Sequence, residues 1–242
     1  MIGREFIDKD SPCAYFDGKL TTTKYWQLDE CSPKEYQGLL EHGWRRFGKL
    51  HFTPICEGCN ECRSIRICID EFNFSKSQKR VLKKNKNTKV IIQQPTCTEA
   101  HLELYNKYHK KMNEKKAWKF KPIEERHYIG SYVDGYSGFG YEFLYYVDDK
   151  LVGVALVDIL SSAMSAIYCF YDHDYKDLSI GQFSVLTQIK IAKHHHIPYI
   201  YLGYWMKDHY SMGYKEKYQP FDVLKDMVTP VDKPTVWYRY QP

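Results

Sequence analysis

Three successive runs of strand length, residues 141–148, 151–160 and 164–171, are rich in apolar, aromatic and β-branched residues and bounded by turn residues. Short apolar runs so bounded predict three consecutive strands. Asp148-Asp149-Lys150 and Ser161-Ser162-Ala163 are suited to the two turns between them. From Ser179 to His196 the spacing becomes helical, with Phe183, Leu186, Ile189 and Ile191 apolar. Pro198 to Tyr204 reads as a further strand. A helix between two strands is a crossover, so this strand should lie parallel to the preceding one.

The front half reads differently. Ser32-Pro33-Lys34-Glu35 is a helix start: serine caps, proline suits the first turn and Glu35 completes a capping box. Tyr36, Leu39 and Leu40 give it one apolar face, and Gly43 ends it. Residues 44–53 and Ile65–Ile69 read as strands, with the thiol-rich stretch CEGCNECRSIRIC (56–68) between them. Residues 76–89 contain seven cations and no acid, and Lys76, Arg80, Lys83 and Lys84 would share one side of a helix. A second cationic stretch runs from Lys107 to Lys121. Solvated helix faces and a polyanion-binding surface both explain such runs.

Composition narrows the picture. The chain has 242 residues and a net charge of only +5, so the distribution of charge matters more than its sum. No apolar run approaches the length of a membrane span, and the N-terminus lacks the pattern of an export signal. Eight cysteines without such a signal suggest the reducing cytoplasm, where clustered thiols more often serve metal binding or chemistry than disulfides. The spacing C-x2-C-x2-C of Cys56, Cys59 and Cys62, with Cys13 as a distant fourth ligand, suits an iron–sulfur cluster or zinc. A tight turn with reduced, packed thiols is the alternative, and Cys68 could replace Cys13. Seven cysteines precede residue 100, whereas the back half is aliphatic and aromatic. That shift predicts a cysteine-bearing, basic lobe over 1–95 and a second lobe over 96–242.

Motifs in both halves carry a resemblance. LVGVALVDIL (151–160), CFYDHDYKDLSIGQFSVLTQI (169–189), YIYLGYW (199–205) and MGYKEKYQPFDVL (212–224) resemble the signature run of the aminoacyl-tRNA–protein transferases. PCAY (12–15), HFTPICEGCNECRSIRI (51–67) and FSKSQKRVLKKN (74–85) resemble the family's N-terminal segments in the same order. The family includes eukaryotic arginyltransferases and bacterial leucyltransferases, and the short length resembles the bacterial branch. The resemblance implies an α+β fold with a GNAT-like acyltransferase domain and a smaller N-terminal cysteine-bearing domain. It also implies an enzyme that moves leucine, or arginine, from aminoacyl-tRNA to proteins beginning with Asp or Glu, marking them for degradation. His173 stands where proline is usual in the family, which puts the local loop shape in question.

An aminoacyl ester is already activated, and the attacking α-amine has an ordinary pKa of about 7.7–8.0. The enzyme must align the reactants, take a proton from the amine, stabilise the oxyanion and protonate the leaving ribose oxygen. Asp158, a carboxylate in an apolar strand, is the candidate for the amine, with backbone bonding at a strand end as the competing reading. Tyr168, Tyr171 and Asp172 on the next strand are further catalytic candidates, against an ordinary core role. Ser179 and Gly181 open the long helix, where backbone N–H groups could hold a tRNA phosphate. Tyr201, Tyr204 and Trp205 could stack on the terminal adenine, and Lys215 could pair with a phosphate. Arg63 or Arg66 would read the acidic acceptor, since a guanidinium binds a carboxylate bidentately. Two other functions compete: a coenzyme A-dependent acetyltransferase and a non-catalytic nucleic-acid-binding module.

Overall fold

A computed structural model of the chain describes residues 1–116, 118–135, 138–227 and 230–241. In chain order the elements are β1 (Ile2–Pro12), β2 (Leu20–Glu30), α1 (Pro33–Glu41), β3 (Arg45–Phe47), β4 (Leu50–Pro54) and β5 (Arg63–Cys68). Next come α2 (Lys76–Lys84), β6 (Lys89–Gln93), α3 (Glu99–Lys116) and α4 (Glu125–Tyr128). The back half adds β7 (Gly140–Val147), β8 (Lys150–Ile159), β9 (Ala163–Tyr171), α5 (Ile180–His194), β10 (Tyr199–Trp205), β11 (Phe221–Leu224) and β12 (Trp237–Arg239).

These strands form two sheets. The smaller has the order β1-β2-β4-β3; the larger has the order β12-β11-β5-β10-β9-β8-β7-β6. Within the larger sheet β9 and β10 are parallel and every other neighbouring pair is antiparallel. The crossover expected between Ser179 and Tyr204 is therefore present, with α5 as its helix. Strands β5 and β6 lie before residue 95 yet belong to the larger sheet, so a boundary at 95 does not separate the two sheets.

The helices start where the chemistry of their first residues favours it. Ser32 Oγ accepts from the Glu35 N–H, and Glu35 accepts in return from the Ser32 N–H at 2.8 Å. Ser75 and Gln78 form the same reciprocal cap on α2. Tyr36, Leu39 and Leu40 of α1 are buried as expected. They pack with Trp44, Phe139, Leu160 and Tyr201 on one face of the larger sheet. Phe183, Leu186 and Ile189 of α5 pack on the other face, against Val152, Val157 and Ile200. Leu104, Tyr108 and Met112 of α3 cover Leu144, Val154 and Phe170.

Residues 44–53 are a hairpin and not one strand. The chain turns at Gly48, whose φ is +55°. A Cβ there would stand 1.9 Å from the Gly130 carbonyl oxygen, so only glycine fits. The hairpin is fastened to the larger sheet by charge. Arg46 Nε donates to Asp158 Oδ2 at 3.0 Å, its Nη2 donates to Oδ1, and its Nη1 donates to Gly48 O at 3.0 Å. The two side chains are 4% and 0% exposed. His51 on β4 lies edge-on to Tyr36, and burial, then the nearby Arg46 charge, brings it down to about 4.

Removing one partner of a buried ion pair leaves the other charge desolvated and uncompensated. Asp158→Asn and Arg46→Gln are each expected to cost about 3–5 kcal/mol of stability, measured by urea unfolding at pH 7. A loss within experimental error would contradict the fastening role.

Candidate active site

The parallel pair β9–β10 opens along its length. Its register is limited to Tyr199 with Ala163, Ile200 with Met164 and Tyr201 with Ser165. Beyond it β9 runs on to Tyr171 and β10 to Trp205 without pairing to each other. Bulges lie beside the opening: β10 shifts against β5 between Tyr201 and Gly203, and β9 shifts against β8. Bulges bend strands and re-aim side chains.

The β3–β4 hairpin bridges the two diverging strands with aromatic rings. Phe47 lies edge-on to Tyr168 on β9, with centroids 6.2 Å apart, and stacks on Phe52 at 5.7 Å. Phe52 in turn reaches Tyr204 on β10 at 6.4 Å.

On the β9 side, Tyr168 stacks on Tyr132 with centroids 5.7 Å apart and planes at 10°. Its hydroxyl lies 2.9 Å from His109 Nε2, while His109 Nδ1 lies 2.9 Å from Tyr105 O. A carbonyl only accepts, so Nδ1 carries the proton and the unprotonated Nε2 accepts from the Tyr168 hydroxyl. Burial lowers the His109 pKa from its ordinary value, which favours this neutral form. Burial also raises Tyr168 well above the ordinary tyrosine range, so the phenol keeps its proton.

On the β10 side, Lys215 is only 6% exposed and its ammonium donates to the Tyr204 carbonyl. Burial, then the neighbouring Arg45 charge, brings it down to about 7. Gly203, with φ +82°, faces Arg45 and Lys215.

Several sequence expectations are corrected by this placement. Asp158 is fully buried and both its oxygens are bound to Arg46, so it anchors the hairpin and cannot take an amine proton. Asp172 is 1% exposed; it accepts from Lys107 at 2.7 Å, Lys150 at 3.1 Å and the Asp174 N–H at 3.0 Å. Its carboxylate closes a turn and is not free for catalysis. Tyr201 and Trp205 are buried in the two hydrophobic clusters, Trp205 against Phe221 and Tyr240, so neither can stack on a base. The Tyr204 hydroxyl is 3.0 Å from Gly43 O and 3.2 Å from Phe52 O, and ties β10 to the hairpin. Gly181 is present for packing: a Cβ there would stand 2.9 Å from the Tyr171 ring. Ser179 caps α5 in the left-handed region without a side-chain bond to the helix. Lys215 is buried, not a surface phosphate partner. Arg66 pairs with Asp222 at 3.3 Å and lies between Tyr199 and Trp237, 3.9 and 4.4 Å from their centroids. It is already neutralised. Arg63 donates to Lys225 O at 2.9 Å and Tyr238 Oη at 3.2 Å.

The remaining predicted residues are the α2 cations and the cysteines. Lys76, Arg80, Lys83 and Lys84 are all exposed on α2. Burial, then Cys13, Cys56 and Cys59 in turn, pushes the Cys62 thiol up to about 12. Cys56 and Cys59 line a hollow of about 540 Å³ together with Lys19, Asn60 and Glu61. Among the described residues, however, no three Cys, His, Asp or Glu groups stand close enough to hold one ion. The side chains as placed do not fit a metal.

Three residues of this arrangement escape a reading of the sequence. His109 sits on an ordinary helix face and has no distinguishing signal. Arg45 and Arg46 do have one: two cations between Trp44 and Phe47 are as anomalous as Asp158 in its apolar run.

Residues 11–80 match the family model "Arginine-tRNA-protein transferase, N terminus", and residues 100–225 match "Arginine-tRNA-protein transferase, C terminus". A curated protein of Helicobacter hepaticus named aspartate/glutamate leucyltransferase is 47% identical over 236 residues, covering 98% of each chain. One of Pseudomonas fluorescens with the same name is 34% identical over 228 residues, covering 88% of this chain and 89% of the other. Among solved structures, the crystal structure of FemX superposes with a TM-score of 0.54 at 10% identity, covering 94% of this chain and 87% of that one. The FemX likeness shows the fold alone, a mixed α/β arrangement of sheets and helices.

The neutral state of His109 can be checked directly. Nitrogen-15 NMR of the histidine ring is expected to show the Nδ1–H tautomer at pH 6.5, where an ordinary histidine is half-protonated. A doubly protonated ring at that pH would contradict the Tyr168-to-His109 hydrogen bond.

Proposed function

This chain belongs to the arginine-tRNA-protein transferase family, a family of aminoacyltransferases, and on that premise we propose that it moves leucine from leucyl-tRNA to proteins beginning with Asp or Glu. Its near full-length likeness to curated proteins named aspartate/glutamate leucyltransferase supports leucine over arginine as donor. The observation that carries the reading is the opening between β9 and β10, walled by a neutral Tyr168–His109 pair on one side and cationic groups on the other.

In this reading the acceptor's α-amine nitrogen attacks the carbonyl carbon of the leucyl ester. A carbon–nitrogen bond forms and the carbon–oxygen bond to the ribose breaks. The amine gives up a proton and the ribose oxygen takes one, so no proton is gained or lost. Tyr168 is placed to serve both events. Its hydroxyl oxygen accepts the amine proton as its own proton passes to His109 Nε2, and the reverse movement supplies the ribose oxygen. The aromatic bridge of Phe47 and Phe52 excludes water, the competing nucleophile. The exposed cations of α2 supply phosphate contacts for the tRNA.

The finer organisation belongs to the same proposal. Cys13, Cys56, Cys59 and Cys62 mark the smaller, N-terminal cysteine-bearing module of that organisation. Zinc or an iron–sulfur cluster at Cys13, Cys56, Cys59 and Cys62 would need these thiols to draw together, and no step of transfer passes through it. The donor tRNA places the reaction in the cytoplasm. Among the described residues, no helix is long and apolar enough to cross a membrane.

Incubation with leucyl-tRNA or arginyl-tRNA and peptides starting with Asp, Glu, Lys or Ala is expected to add one leucine to the Asp and Glu peptides, read by mass spectrometry. No mass gain with any pair would sink the reading. Tyr168→Phe is expected to lower kcat by about 10²-fold or more without raising KM for the tRNA. Elemental analysis of protein purified without oxygen tests the metal: about one zinc or several irons per chain supports it, and a metal-free, fully active protein removes it.

A further inference from the structure

Two basic side chains lie buried at the opening without a counter-charge. Arg45 is 6% exposed, and its single hydrogen bond among the described residues is from Nη2 to the Ser64 hydroxyl at 3.3 Å. Its Nε and Nη1 are buried with no partner. Lys215 is equally buried and donates to one backbone carbonyl, Tyr204 O. Among the described residues neither makes an ion pair. The nearby Asp158 is not available, because Arg46 holds both of its oxygens.

Gly203 lies between the two cations. A Cβ built on it would stand 3.7 Å from Arg45 Nε and 3.7 Å from Lys215 Nζ, with nothing else within 4 Å. The missing side chain leaves a cradle just beyond the point where β9 and β10 part. Desolvating a guanidinium with two unsatisfied donors beside a second cation is costly unless an anion joins them. A carboxylate suits the place: one oxygen could accept from Arg45 Nε, which faces the gap at Gly203, while Lys215 Nζ supplies a second contact.

Resting on the reading above, we propose that Arg45 and Lys215, opposite Gly203, hold the side-chain carboxylate of the acceptor's first residue and set the preference for Asp and Glu. The α-amine of that residue then lies within the same opening as Tyr168. Arg45 and Arg46, neighbours on β3, divide the work: one anchors the hairpin and the other reads the substrate.

The test compares kcat/KM for peptides starting with Asp, Glu, Asn and Gln, using leucyl-tRNA and the full chain. The wild type is expected to favour Asp over Asn by about 10²-fold or more, as expected where truncating a charge pair leaves buried cations unpaired. Arg45→Gln and Lys215→Met are each expected to bring that ratio down at least tenfold. Arg45→Lys, which keeps the charge but not the fork, should lose less. Equal losses on the Asp and Asn peptides, or a rise confined to the KM for leucyl-tRNA, would overturn the assignment. If the variants fail to fold, the wild type still gives an answer through its lysine side-chain NMR signals. Aspartic acid α-amide is expected to shift the Lys215 signal and asparagine amide is not; no shift with either overturns the proposal. No transfer by the wild type to any peptide would defeat the parent reading. Transfer with unchanged Asp-to-Asn ratios in the folded variants would defeat this inference alone.

Discussion

The buried pair between Arg46 and Asp158 is the interaction on which the site depends. Both groups are out of water, so neither can leave the other without exposing an uncompensated charge to an apolar interior. Their bond fixes a short hairpin across a sheet to which it is not hydrogen-bonded along its strands. Gly48 adds a steric lock, since its turn lies against the Gly130 carbonyl with no room for a side chain. Once the hairpin is held, Phe47 and Phe52 reach one diverging strand each. Because neighbouring residues on a strand face opposite ways, anchoring Arg46 sends Arg45 to the other side, toward Ser64 and Gly203.

The two sides of the opening then differ in chemistry. The β9 side holds a phenol and a neutral imidazole, which suit proton movement. The β10 side holds cations that have no anion of their own, which suits charge recognition. The exposed lysines and arginine of α2 form a third, basic and solvent-facing region, suited to a polyanion. Under the proposed function, keeping these regions on separate elements would let a nucleic acid be held without its phosphates displacing the acidic acceptor.

Much of the fold is legible in the sequence where an element is buried or locally capped. The apolar runs of β7, β8 and β9 and the cap at Ser32 are of this kind. The N-terminal hairpin is not, because β1 is exposed along nearly its whole length and so carries no alternation of burial. The turn at Gly48 is hidden for another reason: its glycine is demanded by a distant carbonyl, not by a local turn signal. The candidate site was legible as a region but not by role. Asp158 is anomalous in its strand, but its partner lies 112 positions away, and the partner decides between base and anchor. Lys215 looks exposed in a charged segment, yet the 3-10 turn Gly213–Lys217 directs it inward. His109 gains its meaning only from Tyr105 and Tyr168 across space.

The most direct measurement of the central claim is a crystal structure of the chain with a non-hydrolysable leucyl-adenosine amide, the stable counterpart of the charged tRNA end. The leucyl carbonyl is expected between β9 and β10, beneath the hairpin and within hydrogen-bond reach of the Tyr168 hydroxyl. Binding on the outer face of α5, or in any place that leaves the β9–β10 opening empty, would contradict the account.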